Sequence, residues 1–339
     1  MAKFEPGEAR AWALENLRGV TGCVMPSFTQ DLSGLNEEAI VHDIEREREL
    51  GFTGFLIVAE CGTTPDELRR FIDISVAESG DMVTVLQAAA GTLEENVEII
   101  QYAARAGVDL VMPSYPLSFY PQDGSEVVEY TRVLGQASHM GLIVFAMNLW
   151  NFERLHPSGF AAPWLDELIE TVPDMVAIKN EVAEPGVAGI SEVFRRFSDR
   201  VLVADPLEMN SPAWTTTYGM PWMGTSNYEY FGAEVPRYFD LLQQPNRFDE
   251  AMDIYWRIHP ARQATGSLMK EANAGTVFVH RLLWKYQGWL QGFNGGPVRP
   301  PHMRLADRQM KTLRAAAVAS GLPVTGEPDT EFFRGRIAK

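Results

Sequence analysis

The chain has 339 residues, 46% of them hydrophobic and 22% charged, the balance of an ordinary globular protein. Its formal net charge of −16 argues against nucleic acid as a partner, because that affinity comes mostly from Lys and Arg on phosphates. No run of about 18 apolar residues reads as a membrane span, and the opening MAKFEPGEARAW is charged and lacks the apolar core of a signal peptide. Two cysteines, Cys23 and Cys61, make no disulfide scaffold and suit a reducing cytosol, so a cytoplasmic protein is expected. The negative charge does not help to attract an anionic substrate. A carboxylate would have to be held locally, by backbone N–H groups, hydroxyls or a placed arginine.

Residues 1–19 read as a helical lead-in. From residue 20 to 244 apolar strands alternate with amphipathic helices. Strands are predicted at 22–27, 54–59, 83–89, 110–114, 142–147, 175–179, 201–205 and 222–226, as near-continuous apolar runs of the kind found in buried parallel strands. Helices are predicted at 36–50, 65–78, 93–106, 126–138, 163–171, 189–197, weakly at 212–218, and at 235–242. Thr64-Pro65-Asp66-Glu67 and Thr92-Leu93-Glu94-Glu95 spell capping boxes, and Asn36 is a plausible N-cap. Eight such units, joined right-handedly, close a parallel (β/α)8 TIM barrel, which needs roughly 250 residues. An open doubly wound sheet is the alternative, weakened by the count of eight and by the lack of a GxGxxG turn after the first strand. Beyond a joint near Gln244-Pro245 the strand signal stops. Helical patterns at 248–265, 268–291 and 306–320 form a C-terminal extension, 245–339, whose tail after Gly321 wraps the surface.

In such barrels the chemistry sits at the C-terminal ends of the strands. The sixth predicted strand ends in Lys179. A lysine in a buried strand costs free energy unless it is paired or neutral, and a desolvated amine can attack a carbonyl to form a Schiff base. The plainer reading puts Lys179 on the rim, paired with Glu181 or Glu184. Strand two ends Ala59-Glu60-Cys61-Gly62-Thr63-Thr64. Gly62, Thr63 and Thr64 lead into a capped helix, whose N-terminus could cradle a carboxylate, although Thr64 could serve only as a cap. Glu60 could be a general base or a partner of Lys179 or an arginine. Tyr115, after strand four, could relay protons or be a packed aromatic. After strand five, Phe145 is followed by Arg154, which could hold a second carboxylate, and by His156, a candidate acid or base. Asp205, Ser226 and Asn227 end strands seven and eight as lining residues. A metal site from Glu60, Glu181 and Asp205 is the competing chemistry, but no HxH pair or dense Asp/Glu/His cluster occurs.

These residues resemble the dihydrodipicolinate synthase / N-acetylneuraminate lyase superfamily of class I aldolases, from about residue 19 to 231. Cys23-Val24-Met25-Pro26-Ser27-Phe28 is similar to the family's T-P-F strand, the Gly-Thr-Thr turn follows, and Val176-Ala177-Ile178-Lys179 is similar to its G-I-K. Residues 103–113 resemble its A-x-x-x-G-A-D stretch. The resemblance implies a (β/α)8 barrel, a Schiff base between Lys179 and pyruvate or a related 2-oxo acid, no metal or organic cofactor, and a homo-oligomer, tetramer or dimer. Two departures stand out. The family's G-T-T-G-E order is here Glu60-Cys61-Gly62-Thr63-Thr64, which also admits a match of Ala59-Glu60-Cys61 to the G-E-C of the hydratase-aldolases. The family's proton-relaying tyrosine, in Y-N-x-P, is here Phe145, so Tyr115, His156, Glu60 or a water would have to substitute. The chain length, the Ala59-Glu60-Cys61 turn and Gly296-Pro297-Val298-Arg299-Pro300-Pro301 are nearest the hydratase-aldolase branch. Phe145, Trp150, Phe152 and Trp164 on the rim would suit a bulky apolar acceptor. The expected function is a Schiff-base lyase. The alternatives are a non-catalytic 2-oxo acid binder on the same fold and, third, a metal-dependent barrel enzyme.

Overall fold

The computed structural model describes residues 3–181, 186–273, 281–302 and 304–338. Helix α1 (Ala9–Asn16) precedes strand β1 (Gly19–Val24), and the alternation runs through α2 (Glu37–Glu49), β2 (Gly54–Ile57), α3 (Pro65–Glu78), β3 (Val83–Ala88), α4 (Leu93–Ala106), β4 (Leu110–Pro113) and α5 (Gly124–Gly135). It continues with β5 (Gly141–Ala146), α6 (Ala162–Thr171), β6 (Met175–Asn180), α7 (Val187–Phe197), β7 (Leu202–Ala204), α8 (Ser211–Tyr218), β8 (Trp222–Met223) and α9 (Glu234–Leu242). After the last strand come α10 (Phe248–Arg257), α11 (His259–Asn273), α12 (Arg281–Leu290) and α13 (Asp307–Ala319). The strands form one eight-stranded sheet in the order β7-β6-β5-β4-β3-β2-β1-β8. This is a (β/α)8 TIM barrel followed by C-terminal helices. Among the described residues no helix is long and apolar enough to cross a membrane.

The capping signals act as read. Thr64 and Thr92 each accept from the backbone N–H three residues on and receive the reciprocal Glu67 and Glu95 carboxylates, which fixes the starts of α3 and α4. The strand edges differ from expectation for local reasons. β1 begins at Gly19, not residue 22, because Gly19 and Val20 pair with Trp222 and Met223. It stops at Val24, before Pro26, which has no N–H to give a ladder. β8 is only two residues long. The expected 248–265 helix breaks at His259-Pro260 into α10 and α11. Of the expected 268–291 helix, residues 274–280 lie outside the described residues.

The chain packs as two compact units, Met1–Thr21 with Val83–Gly224, and Gly22–Met82 with Thr225–Lys339. In the first unit β3 to β7 pair in parallel. The lead-in helix is fastened by Arg10, which donates to the carbonyls of Ile169, Val172 and Met175 at 2.8, 2.9 and 3.0 Å.

In the second unit the core-facing stripe of α2 carries two acids, Asp43 and Glu47, among Ala39, Ile40 and Ile44. Glu47 is 0% and Glu229 5% exposed. Their carboxyls converge on Gly22, where a Cβ would stand 2.7 Å from an oxygen of each. The Cys23 N–H donates to Glu229. Asp43 accepts the Asn294 N–H at 2.6 Å, and buried Lys285 donates to Pro26 O at 2.9 Å and Ser27 Oγ at 3.3 Å. Arg336 in the tail donates to Trp289 O and Phe293 O at 2.9 and 3.0 Å. The C-terminal segments thus supply polar partners to the end of β1 and to α2, which explains why these group together.

Burial holds the Glu47 carboxyl well above the ordinary carboxylate range, with facing Glu229 adding to the effect, and burial lifts Glu229 to about 7. The folded protein therefore binds protons that the unfolded chain, with ordinary carboxyls, releases. Stability contributed by the protonated pair is present at low pH and is lost as pH rises through about 7. We expect Glu47→Gln, which removes one of the two facing acids, to raise the melting midpoint by a few degrees at pH 8 and by much less at pH 5. Thermal melts across that range would test it. An equal shift at both pH values would show that the pair does not titrate.

Candidate active site

Lys179 is the fifth residue of β6, a strand buried along its whole length. Its partners across the ladder are Phe145 on β5 and Ala204 on β7. The side chain is 3% exposed. Its Nζ lies 3.8 Å from the centre of the Phe145 ring and 3.9 Å from the Met112 sulfur. An aromatic face and a thioether are soft neighbours that attract a cation weakly and replace little of its hydration. Of the two carboxylates weighed as rim partners, Glu181 continues the backbone beyond β6, its N–H donating to Ala146 O at 2.8 Å. Glu184 lies outside the described residues. Gln87 and Ser114, both buried, add a polar contact at the ends of β3 and β4, 3.3 Å between Nε2 and Oγ. Sequence reading gave Gln87 no role, because a glutamine in an apolar run carries no signal of its own.

Phe145 packs edge-on against Trp150, whose indole N–H donates to Phe145 O at 2.9 Å. Tyr115 is buried in a cluster with Phe119, Tyr130, Trp150, Phe152 and Phe160. Its hydroxyl lies 2.6 Å from Thr131 Oγ1, and that hydroxyl in turn donates to Val127 O at 2.7 Å. The tyrosine proton therefore points at Thr131, and burial pushes its pKa up. This is the packed-aromatic alternative for Tyr115. Arg154 is exposed on the loop after β5, its guanidinium 3.8 Å above the Tyr120 ring and bonded to Pro121 O. His156 is also exposed, 2.7 Å from Ser158 Oγ. Asp205 is fully buried and accepts from Leu207 N–H, Asn210 and Trp214 at 2.8, 2.8 and 2.7 Å. These bonds tie the β7–α8 turn together, while burial raises the carboxyl's pKa.

In the second unit the β2–α3 turn presents Glu60, Gly62, Thr63 and Thr64. Gly62 has φ +81°, and a Cβ there would stand 2.7 Å from Arg299 Cβ and 2.9 Å from Pro300 O. Its glycine is required by the chain that packs over it as well as by the turn. Arg299 secures that chain by pairing with Glu67 at 2.6 Å and donating to Gly62 O at 3.2 Å. The Thr63 hydroxyl donates to Ala59 O at 3.4 Å, and that of Thr64 caps α3.

Glu60 is held by Arg281 of α12, Nη2 to Oε2 at 2.6 Å, and keeps 38% of its side chain exposed. His302 Nε2 lies 2.7 Å from Glu60 O. Arg281 Nη1 also donates to Asn227 Oδ1, after β8, at 3.3 Å. Ser226 beside it is half-buried, its carbonyl accepting Tyr228 N–H at 3.1 Å. Sequence reading missed Arg281, which is 221 positions from its carboxylate. Among the described residues no group of three or more His, Cys, Asp or Glu could hold a metal ion.

No family model matches the chain. It is 28% identical over 125 residues to 4-hydroxy-tetrahydrodipicolinate synthase of Methanopyrus kandleri, a match covering 34% of this chain and 41% of that protein, so under half the relative's length. Over nearly full length, 93% of this chain and 98% of the relative, it is 22% identical to the "Probable 5-dehydro-4-deoxyglucarate dehydratase" of Pseudarthrobacter chlorophenolicus. Its fold is that of N-acetylneuraminate lyase from Fusobacterium nucleatum, with a TM-score of 0.70 at 17% identity, covering 89% of this chain and 98% of that one. Likeness in sequence to synthases and to a dehydratase, joined to the barrel fold shared with N-acetylneuraminate lyase and dihydrodipicolinate synthase, supports the resemblance to that superfamily.

Proposed function

We propose that the protein is a Schiff-base-forming lyase that acts on a 2-oxo acid through Lys179. The observation that carries the reading is the lysine itself: a primary amine 3% exposed at the end of a barrel strand, against a ring face and a thioether. Removed from water, an amine is a nucleophile for a ketone carbon. Its attack on C2 gives a carbinolamine. Loss of water then leaves an iminium, which draws electrons from the adjacent carbon. A C–C or a C–O bond at the next position can break or form through that sink. The near-full-length likeness to a protein named as a dehydratase supports C–O cleavage.

In this reading the substrate carboxylate is held by the Gly62, Thr63 and Thr64 turn. It relies on backbone N–H groups and on the Thr64 hydroxyl, which accepts from Glu67 N–H as a cap and keeps its own proton, while the Thr63 hydroxyl gives its proton to Ala59 O. Proton movement falls to Glu60, the candidate with a partly exposed carboxylate, or to water. Tyr115 drops out because its hydroxyl serves Thr131. The protein is further proposed to be cytoplasmic and to act as a homo-oligomer. The second reading, a 2-oxo acid binder without turnover, is favoured by Phe145, which stands against Lys179 and cannot move a proton.

Reduction with borohydride in the presence of pyruvate should leave a stable adduct on the peptide carrying Lys179, seen by mass spectrometry, and none in Lys179→Ala. No adduct with pyruvate or with a panel of larger 2-oxo acids would refute the Schiff-base reading. Phe145→Tyr puts a hydroxyl on the ring that faces the amine. Because general acid–base help contributes about 10²- to 10⁴-fold where it operates, the variant should trap pyruvate at least about tenfold faster than wild type. An unchanged rate would mean that another group already supplies the proton.

A further inference from the structure

The two acids that meet at Gly22 sit on very different supports. Glu47 belongs to the core-facing stripe of α2, beside Ala39, Ile40 and Ile44. Glu229 belongs to a single helical turn, Glu229–Phe231, that follows β8. They are also unequally served. Glu229 takes the Cys23 N–H and the Asn227 amide. Both oxygens of Glu47 are buried and have no hydrogen-bond partner among the described residues; the Cys23 N–H that lies near is bonded to Glu229.

The charges that act on Glu47 are those of Glu229 and Asp43, and both are negative. The cations nearby serve other groups. Lys285 on α12 acts on Asp43 and donates to Pro26 O and Ser27 Oγ. His42 also acts on Asp43, with its Nε2 2.9 Å from Gly292 O. Arg281 pairs with Glu60. The Cys61 thiol, near Lys285, is pushed up to about 11 by burial and stays neutral. Two facing carboxylates without a cation repel, and burial denies each its hydration. One proton between them removes the repulsion and supplies the donor that Glu47 lacks.

When that proton leaves, one acid must reach water. Glu47 can do so only if the packed face of α2 moves. Glu229 needs only its own turn to open. That turn is closed by Tyr228 N–H on Ser226 O, Phe231 N–H on Tyr228 O and Gly232 N–H on Glu229 O, at 3.1, 2.9 and 3.0 Å. It ends at Gly232, whose φ is +56°. Segments with so few backbone bonds are the ones that open locally.

We propose that Glu47 and Glu229 form a proton-dependent latch: one shared proton fastens residues 225–232 to the end of β1, and its loss releases that segment, with Ser226 and Asn227, while the rest of the fold stays closed. The latch differs from a general loss of stability at high pH in being confined to one segment. It rests on these side chains alone and does not depend on the Schiff-base reading.

Hydrogen–deuterium exchange on the full chain, corrected for the pH dependence of free amides, tests it. Burial lifts Glu229 to about 7, so pH 6 and pH 8.5 lie on either side of the change. In wild type the peptides carrying Cys23 and residues 228–232 should be protected at least roughly tenfold less at pH 8.5, while a peptide from β3, residues 83–88, keeps its protection. Glu47→Gln leaves a single acid facing an amide that can donate to it, so protection at the same peptides should be equal at both pH values. If Glu47→Gln loses its cooperative melt, Glu229→Gln carries the comparison. Protection that stays constant in wild type, falls equally in the glutamine variant, or falls as much at residues 83–88 overturns the latch.

Discussion

A lysine fixed inside a fully buried strand is the constraint on which the first unit turns. Met175 to Asn180 are all buried, and ladders on both sides hold the backbone at Lys179, to Phe145 and to Ala204. The side chain cannot snorkel to water as a lysine near a strand edge would. Its neighbours Met112 and Phe145 come from the two preceding strands, so the amine's surroundings are set by sheet register and not by loops. A one-residue slip of β6 would turn Lys179 to the other face of the sheet and bring Ile178 or Asn180 into its place. The apolar ladder residues that fix register, such as Ile143 against Ala177 and Val144 against Ile178, are thus also what keep the amine in position.

The second unit answers a different problem, that of burying several charges in one place. Asp43, Glu47 and Glu229 are all buried, and burial raises each of their pKa values. Among these acids Asp43 has the Lys285 ammonium of α12 nearby, while Glu229 takes the Cys23 N–H and the Asn227 amide. Arg281 and Lys285 stand four residues apart on α12 and so share a face. Arg281 reaches Glu60 after β2, and Lys285 reaches the Pro26-Ser27 bend after β1. Burial pushes the Lys285 pKa down while Asp43 pushes it up. Buried pairs of this kind are expensive to break by removing one partner and contribute little net stability when intact. They are better regarded as fixing where α12 sits against the turns after β1 and β2.

Sequence patterns made the fold readable where the cause is local. Thr64 and Thr92 begin their helices as their capping boxes require, and α3 and α4 match prediction to the residue. Lys179 was readable because a charge at the end of an apolar strand breaks the pattern. The acids of α2 were less so. Asp43 and Glu47 lie on the apolar stripe, but their partners Asn294 and Glu229 are about 180 to 250 positions away, and no window of sequence contains both. The same distance hid Arg281. The C-terminal helices read as an appendage because their partners in the first two strand turns leave no periodic trace in their own sequence. For Tyr115 the position after β4 suggested a proton carrier, while its hydroxyl partner, Thr131 on α5, lies 16 positions on and could not be read from the strand end.

Phe145 gives the site its particular character. In a barrel that depends on a tyrosine beside the lysine, exchanging the ring for phenylalanine removes the proton path but keeps the packing, and here the packing has closed around it. Trp150 donates to the Phe145 carbonyl and lays its ring against the side chain, Tyr115 stacks its own edge on Trp150, and the amine rests on the ring face. An aromatic face holds a cation through its quadrupole, without donating or accepting a proton. In the proposed reading an iminium at Lys179 would place its positive charge at the same nitrogen and meet the same ring face. In that reading a proton would therefore have to come from a residue or water that the ring does not screen.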